Sequence, residues 1–118
     1  MKQVSGGVTA PKGFRASGVH CGVKKNNSDK KDLALIVSQQ ACTAAAVYTM
    51  NRVKAAPLYV TMDHLENGAA QAIVANSGNA NACAPNSHEH AEAMCALAAR
   101  ATGLKPGDFV VACTGVII

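Results

Sequence analysis

The sequence predicts an α/β fold, and three observations carry that expectation. Two apolar runs of strand length flank a charged segment, the pattern of an antiparallel hairpin. A capped stretch with helical spacing occupies 86–103. Two further buried-strand runs, Ala72-Ile73-Val74-Ala75 and Phe109-Val110-Val111-Ala112, stand on either side of it. The order is therefore two hairpin-like strands, then strand, loop, helix and strand.

The chain opens on Gly6-Gly7-Val8-Thr9-Ala10-Pro11-Lys12-Gly13-Phe14, an arm punctuated by Gly and Pro and expected to be irregular, with Val8 and Phe14 as anchors. Across 16–24, Val19, Cys21 and Val23 recur with a period of two. Leu33-Ala34-Leu35-Ile36-Val37-Ser38 is the second arm of the hairpin. Lys24-Lys25 and Lys30-Lys31 bracket its tip, Asn26-Asn27-Ser28-Asp29. Ala44-Ala45-Ala46-Val47-Tyr48-Thr49 reads as a third strand, with helix left open by its alanines. A short helix is expected over 58–67: Pro57 suits a first turn, where its missing N–H costs nothing, and Gly68 suits the residue after the end.

The strand 72–75 runs into Asn76-Ser77-Gly78-Asn79-Ala80-Asn81-Ala82-Cys83, read as a loop of small and amide residues. Its asparagines have two readings. They bond their own backbone in a turn, or they hold a polar ligand. Asn86 and Glu89 stand in capping-box spacing. Behind them Ala91, Met94, Cys95, Ala98 and Ala101 share one helical face, and Gly103 and Pro106 end the helix.

At 118 residues the chain fits one domain, with no internal repeat or linker. It is 49% hydrophobic and 15% charged, against about 25% charged in an average domain. Much of the apolar content is alanine, which expects either closely packed elements with backbone-lined surfaces or apolar faces that meet another chain. The net charge of +4 is dispersed, and with only two Phe, two Tyr and no Trp there is little to stack bases on, so nucleic acid is excluded as a partner. No run reaches membrane-spanning length, and the first residues have no signal-peptide core. Five scattered cysteines, at 21, 42, 83, 95 and 113, lead to the expectation of reduced, mostly buried thiols in a cytosolic protein.

The functional reading centres on Thr114-Gly115, which interrupts the last apolar run. The pair is either a glycine bulge between strand segments, or two backbone N–H groups aimed off a strand end to hold developing negative charge. Cys113 beside it lacks an activating histidine in sequence and reads as a small buried residue. Cys83, His88, His90 and Cys95 do not make a zinc set, because His88 and His90 point to opposite sides of a helix. The acidic residues Asp29, Asp32, Asp63, Glu66, Glu89, Glu92 and Asp108 form no catalytic pair. Most are expected in loops, caps or exposed helix faces.

Six stretches, in order, carry a resemblance: Ala10-Pro11-Lys12-Gly13-Phe14-Arg15-Ala16-Ser17-Gly18-Val19, Lys31-Asp32-Leu33-Ala34-Leu35, Ala45-Ala46-Val47-Tyr48-Thr49, Val53-Lys54-Ala55-Ala56-Pro57, residues 76–83, and Thr114-Gly115-Val116-Ile117. Together they resemble the ornithine acetyltransferase family, whose members include the bifunctional glutamate N-acetyltransferase and amino-acid acetyltransferase of arginine biosynthesis. The resemblance implies an α/β sandwich of helix and mixed-sheet layers in an enzyme that cuts itself before an internal threonine. That threonine's freed amine and hydroxyl then serve as base and nucleophile. Acetyl passes from N-acetylornithine through an acetyl-threonine to glutamate, with acetyl-coenzyme A a co-substrate in some members and no other cofactor. The matching Thr114 and Gly115 would form the oxyanion hole.

Two departures qualify the transfer. Ile118 stands where the family usually has glycine, and the Lys/Gly/Met-rich motif that carries the nucleophile does not occur here. Residues 1–118 thus correspond to an N-terminal segment of the alpha chain. The implied partners are the remainder of that chain and a beta chain, in an assembly of two of each in the cytoplasm. Two other readings are a self-processing aminopeptidase of similar fold and a non-catalytic truncated fragment. The aminopeptidase is disfavoured by the arm 11–19 and the run 76–83.

Overall fold

A computed structural model describes residues 2–25 and 29–117. The expected hairpin tip at 26–28 and the departure at Ile118 lie outside the described residues. Six elements follow one another: β1 (Phe14–Val19), β2 (Leu33–Thr43), α1 (Ala56–His64), β3 (Ala69–Asn79), α2 (Ser87–Thr102) and β4 (Phe109–Val116). They form one mixed sheet in the order β1-β2-β3-β4. β1, β2 and β3 pair antiparallel, whereas β3 and β4 are parallel. A parallel pair needs a long connection, and α2 supplies it.

Alternation along the strands sorts the side chains onto two faces. Leu35 pairs with Val74 and Val74 with Val111, while Val37 pairs with Ala72 and Ala72 with Phe109. These side chains meet Ala91, Cys95 and Ala99 of α2 and Val60 of α1 to form the core. Phe109, Val60, Ala91 and Cys95 are wholly buried. The opposite face carries Ile36, Ile73 and Val110, which with Phe14 line an open apolar cavity of about 340 Å3. Ile73 there is 39% exposed, against 4% for Val74 beside it, so only one face of the sheet is covered among the described residues.

Several expectations change. The third strand at 44–49 does not form: residues 44–50 have no regular structure and Val47 is 99% exposed. β2 instead runs on to Thr43, and Cys42 and Thr43 take the pairing with Ala70 and Ala69. The polar Gln39-Gln40 step hides this extension from periodicity, because β2 bulges there against β3. At the other end, 20–24 is a set of bends rather than strand.

β3 continues to Asn79, through residues expected as loop. Asn76 has Leu33 on one side and Cys113 on the other, and pairing from both flanks overrides the turn preference of its side chain. The short helix is found as α1 with a 3₁₀ turn, Leu65–Asn67, ending at Gly68 in the left-handed region. α2 ends at Gly103 in the same way. Its start differs from the capping box: Asn86 is left-handed, with φ +53°, and makes no side-chain cap bond. A capping side chain reaches the first-turn N–H groups from extended backbone, not from this one. The buried stripe is Ala91, Cys95 and Ala99, spaced by four; Ala101, expected inside, lies beside that stripe and is exposed.

Candidate functional site

β4 is an edge strand, and α1 closes only its first half. Thr61 Oγ1 donates to the Val111 carbonyl at 3.0 Å and accepts from the Val111 N–H at 3.2 Å. His64 Nδ1 lies 2.9 Å from the Phe109 carbonyl, and His64 Nε2 is 3.6 Å from Glu92 on α2. The backbone groups of Phe109 and Val111 therefore face outward to α1. By strand alternation the next outward residues are Cys113 and Gly115. The Val116 carbonyl keeps to the pattern, accepting the Ala80 N–H on the inner side at 2.9 Å. Among the described residues no hydrogen bond reaches the outer edge at Cys113 or Gly115.

Past Cys113 the parallel pair bends. Ser77 pairs with Thr114 and Gly78 with Gly115, and the register then shifts at Asn79. Both glycines have positive φ, +131° and +132°. That conformation is essentially restricted to glycine. Space excludes a side chain as well. A Cβ on Gly115 would strike the Gly78 backbone and lie 2.6 Å from the Asn79 nitrogen. Gly115 is thus required by the approach of β3, and the bulge expected at this position is present. The bulge is compatible with a charge-holding role for one N–H, that of Gly115; by the same alternation the Thr114 N–H faces β3, so Thr114 offers its exposed side chain instead.

The asparagines bond mostly within the chain. Asn76 Nδ2 donates to the Asn79 carbonyl at 3.0 Å, Asn79 Oδ1 accepts the Asn81 N–H at 2.7 Å, and Asn81 Nδ2 donates to the Ser87 carbonyl at 2.7 Å. The self-satisfied turn accounts for these three groups, whereas Asn76 Oδ1 is buried with no partner among the described residues.

Asp32 was expected in a loop and is one of the most buried groups, 2% exposed. Its Oδ1 accepts the Cys21 N–H at 2.6 Å and its Oδ2 the Lys24 N–H at 2.9 Å, with His20 Nδ1 3.2 Å away. These two N–H groups, foremost that of Lys24, hold its carboxyl well below the usual carboxylate range. A lone Asp in a charged segment gives no periodic signal, so sequence reading missed it.

Cys113 is part-buried against Met94, its Sγ 3.8 Å from the Met94 sulfur, and burial pushes its thiol up to about 11. Burial, with a smaller effect of Glu92, pushes Cys95 up to about 12. Neither thiol is poised as a thiolate near neutral pH. His88 pairs with Glu92 on the helix surface, 3.8 Å away. Among the described residues no three His, Cys, Asp or Glu side chains converge as a metal set. No described helix is long and apolar enough to cross a membrane.

The profile of the ArgJ family matches residues 15–118. The chain belongs to the ArgJ family. It is 51% identical to the arginine biosynthesis bifunctional protein ArgJ of Symbiobacterium thermophilum over 118 residues, 99% of this chain and 29% of that protein. Identity to the ArgJ protein of Caldanaerobacter subterraneus is 47%, over 99% of this chain and 28% of that one. The chain thus spans under a third of the length of these curated relatives. A crystal structure of ArgJ from Bacillus halodurans superposes with a TM-score of 0.87 at 43% identity, covering 95% of this chain and 58% of that one. Ornithine acetyltransferase from Mycobacterium tuberculosis, crystallised with ornithine, superposes with a TM-score of 0.81 at 40% identity, covering 95% and 61%. The mixed α/β sheet of this ArgJ-family chain is therefore the fold of ArgJ crystal structures, and arginine biosynthesis is the setting of its relatives.

Proposed function

We propose that this segment works as the N-terminal part of an alpha chain in an acetyltransferase that moves acetyl from N-acetylornithine to glutamate, with acetyl-coenzyme A as a further donor in a bifunctional enzyme. The observation that carries the reading is the uncovered end of β4. Thr114 and Gly115 sit exposed at a bend whose outer edge takes no hydrogen bond from the described residues, which suits donors aimed at a transient charge.

In this reading a threonine from the remainder of the protein attacks the acetyl carbonyl carbon. The carbonyl oxygen becomes an oxyanion and accepts hydrogen bonds from Gly115 N–H and from the hydroxyl of Thr114. Collapse breaks the C–N bond and leaves the acetyl group as an ester on the threonine, whose proton passes to the departing ornithine amine. Glutamate's amine then attacks the ester, breaking its C–O bond, and its proton returns to the threonine hydroxyl. No bound metal or organic cofactor takes part. A beta chain and the rest of the alpha chain complete the enzyme, two of each, in the cytoplasm.

The test is a chimera carrying this segment in front of the remaining length of the Symbiobacterium relative. Incubated with N-acetylornithine and glutamate, it should release ornithine and N-acetylglutamate in equal amounts. The 118-residue segment alone should give no turnover, because a covalent route needs the nucleophile. Release of amino-terminal residues from peptides, without acetyl transfer, would favour the aminopeptidase instead.

A further inference from the structure

We propose that Asp32 is a positioning residue for the oxyanion-binding pair: its buried carboxylate fixes the bends at 21–24 against Gly78, and through Gly78 the geometry of Thr114 and Gly115. The proposal rests on the acetyl-transfer reading.

Four layers of chain lie in contact. Asp32 is the first, and its side chain has no solvent access. Its two carboxylate oxygens hold the Cys21 and Lys24 N–H groups, which fixes both ends of the second layer. Its backbone ties in the neighbouring strands. The Asp32 N–H donates to the Val19 carbonyl at 3.0 Å, and the Asp32 carbonyl accepts the Ser77 N–H at 2.8 Å. Ser77 is the residue paired with Thr114.

The second layer presses on the third at Gly78. A Cβ there would lie 2.9 Å from Val23 Cγ1 and 3.1 Å from Lys24 Cγ, so nothing larger than hydrogen fits between. The third layer in turn presses on the fourth, since the Gly78–Asn79 backbone occupies the place of a side chain on Gly115. From the other side Asn76 Nδ2 holds the Asn79 carbonyl. With these contacts on both sides, the bend has little room to shift without moving the layer behind it. A clasp serving only the hairpin would not need the Val23 and Lys24 side chains against Gly78. This close contact is what couples the carboxylate to the site.

The experiment uses the same chimera with Asp32→Asn, which keeps the size but turns an amide toward one of the two N–H groups. kcat should fall about ten- to a hundredfold with KM held within about twofold, as for a small misplacement of transition-state donors. The loss should shrink in a Thr114→Ala background, because both changes act on one group of donors. Hydrogen exchange should quicken about tenfold or more at the Ala80 amide, which bonds Val116 across the bend. It should be unchanged at the Ala44 amide, which bonds Gly68 far from the bend. Val23→Ala, which removes no hydrogen bond, should give a weaker version of the same rate and exchange changes. Unchanged exchange at Ala80, or equal quickening at Ala80 and Ala44, would overturn the proposal. So would wild-type kcat in Asp32→Asn where Thr114→Ala is slow. Should Thr114→Ala itself be silent, the role of the Thr114 hydroxyl falls, while Ala80 exchange still decides whether Asp32 holds the bend.

Discussion

The two halves of β4 are neighbours in one strand and are built to opposite ends. Phe109 and Val111 are buried, and their outward backbone groups are taken by His64 and Thr61 of α1. Thr114 and Gly115 are exposed, and the described chain leaves their outer edge open. An open edge is a liability that proteins ordinarily cover. Here a helix covers it as far as Val111, four residues short of Gly115. The contrast teaches where to look for function in such a strand. The covered half should respond to mutation in stability, the open half in rate.

The largest expected effect is on the covered half. Phe109→Ala should destabilise the fold by about 3–5 kcal/mol, read as a shift in the denaturant midpoint, because it empties a wholly buried position in the core. Gly115→Ala comes next and sharpens the comparison from the other side. Its φ of +132° and the Asn79 nitrogen 2.6 Å from the new Cβ should cost at least about 1–3 kcal/mol. Its loss of activity would therefore report the bend as much as the chemistry, so Gly115 is a poor probe of the oxyanion role. Thr61→Val should cost about 1–3 kcal/mol by orphaning the Val111 N–H and carbonyl, with kcat unchanged in the refolded chimera. An effect of Thr61→Val on kcat rather than stability would break the division between the halves.

The smallest effect is on pH dependence. Asp32 is depressed in the fold, against about 3.9 in an unfolded chain. Its contribution to stability is therefore fully present above about pH 5 and is lost as pH falls through 4 toward the folded value. Acid unfolding followed by circular dichroism should show a shallower loss below pH 4 in Asp32→Asn than in the parent. An identical slope would mean that the carboxylate is not held as its two N–H partners require.

Much of this was legible in the sequence. The strand cores at 33–38, 72–75 and 109–112 each have a simple apolar pattern, and α1 and α2 end at the expected glycines, Gly68 and Gly103. What sequence could not show is what depends on partners distant along the chain. Residues 44–49 have a strand composition but follow the end of β2 at Thr43 and pair with no strand of the sheet. Asn76 and Ser77 have a loop composition but two flanking strands. The site itself was half legible. Thr114-Gly115 stood out as an interruption, and the six ordered stretches led to the family. Gly78 opposite Gly115, and Asp32 behind Gly78, became visible only when residues far apart in sequence were brought together.

The central claim is that the Thr114 side chain acts on the transition state from an open strand end and contributes nothing to holding the strand. Thr114→Ala in the chimera tests it most directly, since the change removes only the hydroxyl and methyl of an exposed side chain and leaves the amide in place. The measurement is kcat and KM for acetyl transfer from N-acetylornithine to glutamate, after confirming that folding and self-cleavage are complete. With the hydroxyl as a donor, kcat should fall about a hundredfold, KM should hardly change, and stability should stay within about 0.5 kcal/mol of the parent. A variant that turns over at the parent rate, or that loses activity only in proportion to lost stability, would contradict the account.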